Sequence, residues 1–90
     1  MNVNDELTKK ADILKAISHP VRLCIVKGLL EGGGHNVTEM QSCLDVPQST
    51  ISQHLTRLKA AGIVEGKRNG VEICYYLVNE DVISIIRLTN

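Results

Sequence analysis

The chain has 90 residues, a formal net charge of zero and an apolar fraction of 43%. That is enough for one hydrophobic core and too little for two, so we predict a single domain spanning residues 1–90. The chain contains no Phe or Trp and only two Tyr, which excludes an aromatic core and leaves aliphatic helix packing to stabilise the fold.

The sequence carries no signal for a membrane or an extracellular location. No run approaches the roughly 20 consecutive apolar residues of a membrane helix, and residues 1–10 lack the basic-then-apolar order of a secretory signal. The three cysteines, Cys24, Cys43 and Cys74, cannot all pair within one chain and form no C-x-x-C motif. We therefore expect a cytoplasmic protein with no disulfide scaffold, no structural zinc and no membrane partner.

Two helices are predicted at the start of the chain. The first covers residues 6–18, where apolar residues recur at helical spacing, namely Leu7, Ala11, Leu14 and Ile17. Pro20 interrupts it and suits the first turn of a second helix over residues 20–31. On a helical wheel Cys24 lies outside the apolar arc of this second helix, which consists of Leu23, Ile25, Val26, Leu29 and Leu30.

The next segment predicts a helix-turn-helix. A flexible turn at residues 32–35 leads to a short third helix over residues 37–44, in which Thr38 and Gln41 have capping-box spacing. A break of about three residues separates it from a fourth helix over residues 48–61, and two helices joined in this way form a helix-turn-helix. Gly62 is expected to end the fourth helix with a left-handed cap.

Strand chemistry follows in residues 63–78, and Asn69-Gly70 at their centre is the strongest short-range hairpin signal. Folding about that dipeptide gives three cross-strand pairs, namely Arg68 with Val71, Lys67 with Glu72, and Glu65 with Cys74. Asn79 is suited to cap a last helix over residues 80–88. The predicted fold class is therefore α+β and mostly α, with about five helices and a two-stranded β-hairpin.

The fourth helix has an uncharged polar face opposite its apolar stripe of Ile51, Leu55 and Leu58. In the major groove Gln can bond adenine bidentately, and Ser or Thr is a more permissive partner for base edges. The alternative is a solvated helix face that happens to be polar. Because a tight turn precedes this helix and a hairpin follows it, we predict that its outward side chains contact base edges, namely Gln48, Ser49, Ser52 and Gln53.

Positive charge is concentrated around this helix although the chain is neutral. Residues 47–70 hold four basic residues and one acidic residue, a net charge of +3 that leaves −3 for the rest, and such a local excess is a footprint of phosphate binding. For the hairpin, lysines that only guard a strand edge are the alternative, and for His54 it is packing on a neighbouring helix. We predict contacts to phosphates or a minor groove by Thr50, His54, Arg57, Lys67 and Arg68.

The order and spacing of three motifs resemble the ArsR/SmtB winged-helix repressors of bacteria and archaea, over essentially the whole chain. The motifs are residues 18–23 (SHPVRL), residues 47–55 (PQSTISQHL), and residues 58–62 (LKAAG) with Tyr75-Tyr76. The resemblance implies a winged helix-turn-helix homodimer joined through its first and last helices. It also implies that the dimer binds a palindromic double-stranded DNA operator and represses transcription until an effector releases it.

The last helix supports a dimer independently of the resemblance. Its middle holds only Ser84 and Arg87 as polar residues, whereas the other positions are apolar, namely Val82, Ile83, Ile85, Ile86 and Leu88. An end helix that is so apolar needs more cover than one 90-residue core supplies, and a second copy would provide it. Two reader helices related by a twofold axis predict operator half-sites about one helical turn apart.

The sequence lacks the metal-site motifs of the family. Metal-sensing members of the family carry Cys-x-Cys before the reader helix, where this chain has Asn36 and Thr38, or Asp and His ligands on the last helix, which here has no His. The sequence therefore predicts no metal site and no cofactor. The alternatives are metal binding by other residues of the chain and a repressor that responds to no effector.

Thiol oxidation is the other candidate signal. Cys24 lies outside its apolar arc and Cys74 lies on the hairpin, so these two are the candidate redox residues. Thiol-sensing relatives place one cysteine in the last helix, which here has none. Cys43 is expected to pack in the helix-turn-helix as a small hydrophobe.

Two other classes of function fit the sequence less well. An enzyme is disfavoured because the chain has no Gly-rich phosphate loop, no plausible acid–base carboxylate pair, and no third group to orient Ser49, Ser52 and His54. A winged helix that binds only protein would keep the fold but would not need Gln53 and the two serines to face outward. We therefore expect a non-enzymatic DNA-binding regulator.

Overall fold

In a computed structural model, the described residues 4–88 form five helices and one antiparallel β-hairpin. The elements in chain order are α1 (Asp5–Ile17), α2 (Pro20–Gly32), α3 (Val37–Leu44), α4 (Gln48–Ala60), β1 (Val64–Asn69), β2 (Glu72–Leu77) and α5 (Glu80–Leu88). The predicted winged helix-turn-helix class is confirmed. Residues 1–3 and 89–90, the ends of the predicted domain, lie outside the described residues. No helix within residues 4–88 has both the length and the apolar character that crossing a bilayer requires.

The SHPVRL motif joins α1 to α2 by capping the end of α1. The last four carbonyl groups of an α-helix have no partner inside the helix. Here each accepts a hydrogen bond from the motif: Ser18 Oγ donates to Leu14, the Ser18 N–H to Lys15, Arg22 Nε to Ala16 and the His19 N–H to Ile17. Arg22 is consequently only 9% exposed, and no wheel position predicted a buried cation there.

The caps of the later helices agree with the sequence in two cases and differ in one. Gly62 (φ 73°) follows α4, its N–H donates to Lys59 O and the Ile63 N–H donates to Leu58 O, which is a Schellman motif. Asn79 Oδ1 accepts from the Val82 N–H at the start of α5, as predicted. For α3 the predicted Thr38–Gln41 capping box is wrong, because Asn36 and Glu39 cap each other two residues earlier in the chain.

The core lies where the helices meet the base of the hairpin, and its apolar members are aliphatic or methionine, as the composition requires. On α4 the predicted stripe is confirmed, since Ile51, Leu55 and Leu58 are at most 2% exposed. The predicted arc of α2 is wrong at Leu23, which is 40% exposed. The rest of the buried apolar set is Ala16, Ile17, Ile25, Val26, Leu29, Met40, Ile63, Val64, Val82 and Ile86.

The hairpin turns one residue later than predicted. Asn69 pairs with Glu72, so Gly70-Val71 forms the two-residue loop and the predicted pairings are wrong; Lys67 lies opposite Cys74 and Arg68 opposite Ile73. An Asn-Gly type I′ turn needs positive φ at both central residues, whereas Gly70 has φ 69° and Asn69 keeps a negative φ within the strand. Because each cross-strand partner shifts by two residues, every side chain stays on the same face of the hairpin as in the predicted register.

Candidate nucleic-acid interface

The polar face of α4 is exposed, and four of its side chains have no partner in the described part of the chain. Gln48, Ser49, Ser52 and Gln53 are all exposed, and within residues 4–88 their side chains make no hydrogen bond or ion pair. Thr56 differs, because its Oγ1 donates to Ser52 O at 2.9 Å and is used by the helix itself. Four side chains that can both donate and accept hydrogen bonds are therefore presented along one face.

The opposite face of α4 fixes the direction in which these side chains point. The stripe of Ile51, Leu55 and Leu58 is buried against the rest of the core, and the Schellman motif ends the helix before it turns into β1.

No side chain of residues 4–88 caps the start of α4, where Pro47 is the N-cap residue. The free N-terminal amides and the positive end of the helix dipole favour an anion there.

The predicted phosphate contacts lie at three different places. Thr50 is half-buried in the first turn of α4, Arg57 is exposed in its last turn, and Lys67 and Arg68 are exposed on the hairpin. None of the three basic side chains, nor Lys59, has a carboxylate within 4.0 Å among residues 4–88. Within the described residues this positive charge is therefore not paired with a carboxylate.

The two basic residues of the hairpin point to opposite faces, because neighbouring strand residues alternate. Lys67 lies on the face of Cys74 and Tyr76, with its Nζ 5.4 Å from the centroid of the Tyr76 ring, a cation–π distance. Arg68 lies on the face of Ile73 and has no aromatic ring at such a distance among residues 4–88. The structure therefore does not bring these two cations together, and Arg68 is the less constrained of the pair.

His54 points away from the polar face and packs against α2. Its Nδ1 lies 3.1 Å from Arg22 Nη1, and its ring centroid lies 4.6 Å from that of His19. Since arginine cannot accept a hydrogen bond, Nδ1 must carry a lone pair and the imidazole is neutral. Burial, then the charges of His19 and Arg22, lower the pKa of His54. This geometry favours packing on a neighbouring helix over the phosphate contact.

Arg22 is the residue of this region that sequence patterns missed. It links Ala16 O at the end of α1 to His54 on α4, and burial, followed by the positive charge of Arg57, lowers its pKa. A lone cation inside an otherwise apolar run, residues 21–26, was the available signal. Such a residue is either exposed or satisfied by specific acceptors, and here it has two.

The cysteines lie in three different environments. Cys24 is exposed, as the helical wheel predicted, and Cys74 is half-buried on the hairpin, where it raises the pKa of the Tyr76 phenol. The predicted burial of Cys43 is wrong, because it is exposed. The apolar stripe of α3 consists of Val37, Met40 and Leu44, and Cys43 lies at its edge. Within residues 4–88 no three His, Cys, Asp or Glu side chains are placed to hold a metal ion.

Comparison with known proteins identifies the family of this fold. A family model described as a helix-turn-helix domain matches residues 17–67. An HTH-type transcriptional regulator of Methanocaldococcus jannaschii is 42% identical over 86 residues, which are 96% of this chain and 97% of that protein. The transcriptional repressor SmtB of Mycobacterium tuberculosis is 41% identical over 89% of this chain and 58% of its own length.

A solved structure agrees with these sequence matches. The transcriptional repressor PagR of Bacillus anthracis superposes with a TM-score of 0.87 at 40% identity, covering 94% of this chain and 97% of that one. Similarity at this level extends from α1 to α5 and includes both the helix-turn-helix and the hairpin. The chain therefore belongs to the ArsR/SmtB family of winged helix-turn-helix repressors and is a DNA-binding transcriptional regulator.

Proposed function

We propose that this regulator reads its operator with the outer face of α4 lying in the major groove. The observation that carries the proposal is the pairing of a fully buried stripe with an opposite face of four exposed, unpartnered side chains. Base edges would supply the hydrogen-bond partners that the protein leaves open. Gln48, Ser49, Ser52 and Gln53 are the assigned base-reading residues.

Affinity for the DNA backbone is assigned to the basic residues around this face. Arg57 at the end of α4 and Arg68 on the hairpin are exposed and form no ion pair within residues 4–88, so phosphates can neutralise them and release counterions. Lys67 and Thr50 keep the same assignment to phosphates or a minor groove. His54 is assigned a positioning role instead, because its imidazole is held by Arg22.

The regulator is proposed to act as a homodimer through α1 and α5. On these two helices Leu7 and Leu14 are half-exposed and Leu88 is 85% exposed. Between them lies a groove of about 330 Å³ lined by Lys10, Ile13, Leu14, Asp81, Ser84 and Ile85. A second copy packed along this groove would cover that apolar surface. Repression as the direction of control is supported by the relatives that are named as repressors.

The operator is tested by selection from a pool of randomised 30-base-pair duplexes. Repeated binding and sequencing should enrich an imperfect palindrome whose half-site centres lie about 10 base pairs, one helical turn, apart. Binding without enrichment of any sequence would contradict base reading by α4. Complete failure to bind duplex DNA would instead favour a winged helix that recognises protein.

The dimer is tested by sedimentation of two variants that each introduce one lysine into α1. Leu14→Lys places a charge in the groove and should shift the protein towards monomer at micromolar concentration. Asp12→Lys, an exposed position outside the groove, is the control and should leave the dimer intact. A monomeric wild-type protein, or equal behaviour of both variants, would contradict the assigned interface.

A further inference from the structure

A pocket of about 340 Å³ lies between α2 and α3, away from the residues assigned to DNA and to the dimer groove. Its walls include Cys24, Gly28 and Leu29 from α2, His35 from the turn, and Met40 and Cys43 from α3. The volume falls within the range typical of small-molecule sites. Most of the lining is apolar, with the two thiols on opposite walls.

Gly28 has no structural reason to be glycine. It sits inside α2, its φ is not among the positive values, and a Cβ built on it meets nothing within 4 Å. Glycine in a helix interior costs about 0.5–1 kcal/mol relative to alanine. The contrasting case is Gly34, where φ is 126° and a Cβ would lie 2.5 Å from the Tyr76 ring, so a side chain there would be strained. At Gly28 the missing side chain leaves open space in the pocket.

Two of the three cysteines of the chain lie at this one pocket. Cys24 is one helical turn from Gly28, so both are on the same side of α2, and Cys43 faces them from α3. Both thiols are free and exposed. His35, another polar residue of the lining, is less available to a ligand. Its ring packs on Gly32, and its Nδ1 lies 3.5 Å from Glu39 Oε2.

We propose that this pocket binds a small apolar electrophile of the conjugated carbonyl class and that Cys24 or Cys43 then forms a covalent bond to it. In this step the thiol releases its proton to water and the thiolate sulfur bonds to the β-carbon of the ligand. The electron pair of the carbon–carbon double bond moves to the α-carbon, which takes a proton from water. The reaction is an addition with no leaving group and needs no oxidant.

The pocket is placed to influence the DNA-binding surface, and this part of the inference rests on the proposed function. One wall is α3, which leads through residues 45–47 into α4. The turn at the other end is bonded to strand β2 of the hairpin, since the His35 N–H donates to Tyr75 O at 3.1 Å and the Tyr75 N–H donates to His35 O at 2.8 Å. A ligand that separates α2 from α3 therefore acts on both DNA-contacting elements.

The pocket is tested with 2-cyclohexen-1-one, a small apolar conjugate acceptor, and with acrylamide as a polar one. Adduct formation at each cysteine is followed by peptide mass spectrometry as the reagent concentration rises. We expect the cyclohexenone rate at Cys24 or Cys43 to level off, because binding precedes reaction. The rate at Cys74, and all rates with acrylamide, should rise linearly. Linear kinetics at all three cysteines would overturn the proposal.

Pocket-filling variants separate binding in the pocket from simple exposure of a thiol. Gly28→Leu should abolish saturation and leave a linear rate at the same cysteine. Gly28→Ala should raise the melting temperature and increase the half-saturating concentration several-fold, and it serves if the leucine variant does not fold. Saturation that is identical in wild type and both variants would show that the pocket is not the binding site.

Operator binding of the purified adduct tests the regulatory part. A cyclohexenone adduct should bind the selected operator about 5-fold or more weakly than unmodified protein, the lower range of typical allosteric coupling. Saturable capture with unchanged operator affinity would overturn the regulatory role. If the unmodified protein binds no DNA, the proposed function fails, whereas the labelling kinetics still decide whether the pocket is a site.

Discussion

The two faces of α4 differ in what they contribute to the protein. On the inner face Ile51, Leu55 and Leu58 are almost completely buried and help to form the core. On the outer face the side chains of Gln48, Ser49, Ser52 and Gln53 are exposed and make no hydrogen bond or ion pair within residues 4–88. One helix thus separates stability from recognition, and substitutions on the two faces should affect different measurements.

The largest expected effect is on the inner face. Leu55→Ala removes a side chain that is 2% exposed and should lower the free energy of unfolding by about 2–5 kcal/mol, through lost transfer energy and a residual cavity. Urea denaturation measures this loss, with Ser52→Ala as the exposed control. The folded fraction should still distinguish operator from random duplex; loss of that preference would break the separation between the faces.

On the outer face, Gln53→Ala should reduce the preference for operator over random duplex by about 1–3 kcal/mol, the value of one bidentate base contact. Its melting temperature should stay unchanged, because the Gln53 side chain has no partner within residues 4–88. Thr56→Val is the matched control, since the Thr56 hydroxyl is already bonded to Ser52 O. An unchanged ratio of the two dissociation constants would remove Gln53 from the base-reading set.

A smaller effect is expected from Arg68→Ala on the hairpin. Loss of one phosphate contact should weaken operator and random duplex alike and reduce the slope of log K against log salt by about 0.9. Binding titrations at several salt concentrations measure the slope, with Lys9→Ala on α1 as a control that removes the same charge elsewhere. A change confined to the operator would mean that Arg68 reads sequence.

The smallest effect is expected from His54, which lies between the two faces. Its pKa is lowered from 6.5 in the folded protein, so the unfolded chain takes up this proton at a higher pH than the folded chain does. The contribution of neutral His54 to the free energy of unfolding is therefore fully present above pH 6.5. It decreases as the pH drops through 6.5 towards the lower pKa of the folded state. In His54→Gln this part of the pH dependence should be absent. Identical pH profiles of the two proteins would contradict the neutral, Arg22-bonded imidazole.

Local signals in the sequence predicted most of the fold and the candidate surface. The stripe of α4, its left-handed Gly62 cap and the Asn79 cap all depend on neighbours within one or two turns. The predicted hairpin register was wrong because an Asn-Gly dipeptide can occupy more than one position in a turn. The pairing of the whole strands decides which position it takes. The exposure of Cys43 was missed for a related reason, since it depends on the angle at which α3 packs on α2.

Periodic patterns in the sequence could not predict polar contacts between residues that are far apart in the chain. Arg22 and His54 are 32 residues apart, and nothing in either local sequence indicates that they meet. The pocket at Gly28 is similar, because a helical glycine shows its open space only when the neighbouring helix is present. The sequence patterns therefore identified faces of single elements, whereas they missed the Arg22–His54 contact and the pocket at Gly28, which lie between elements.

The two hydrogen bonds of Arg22 have a consequence for the separation of the operator half-sites that a dimer would recognise. One guanidinium group bonds the last turn of α1, assigned to the dimer, and the middle of α4, assigned to DNA. The distance between two reader helices would then be set by a rigid chain of groups from one α4, through the dimer contact, to the other. Arg22 would act as a fixed spacer, and half-site separation would be a property of this buried junction as much as of the dimer surface.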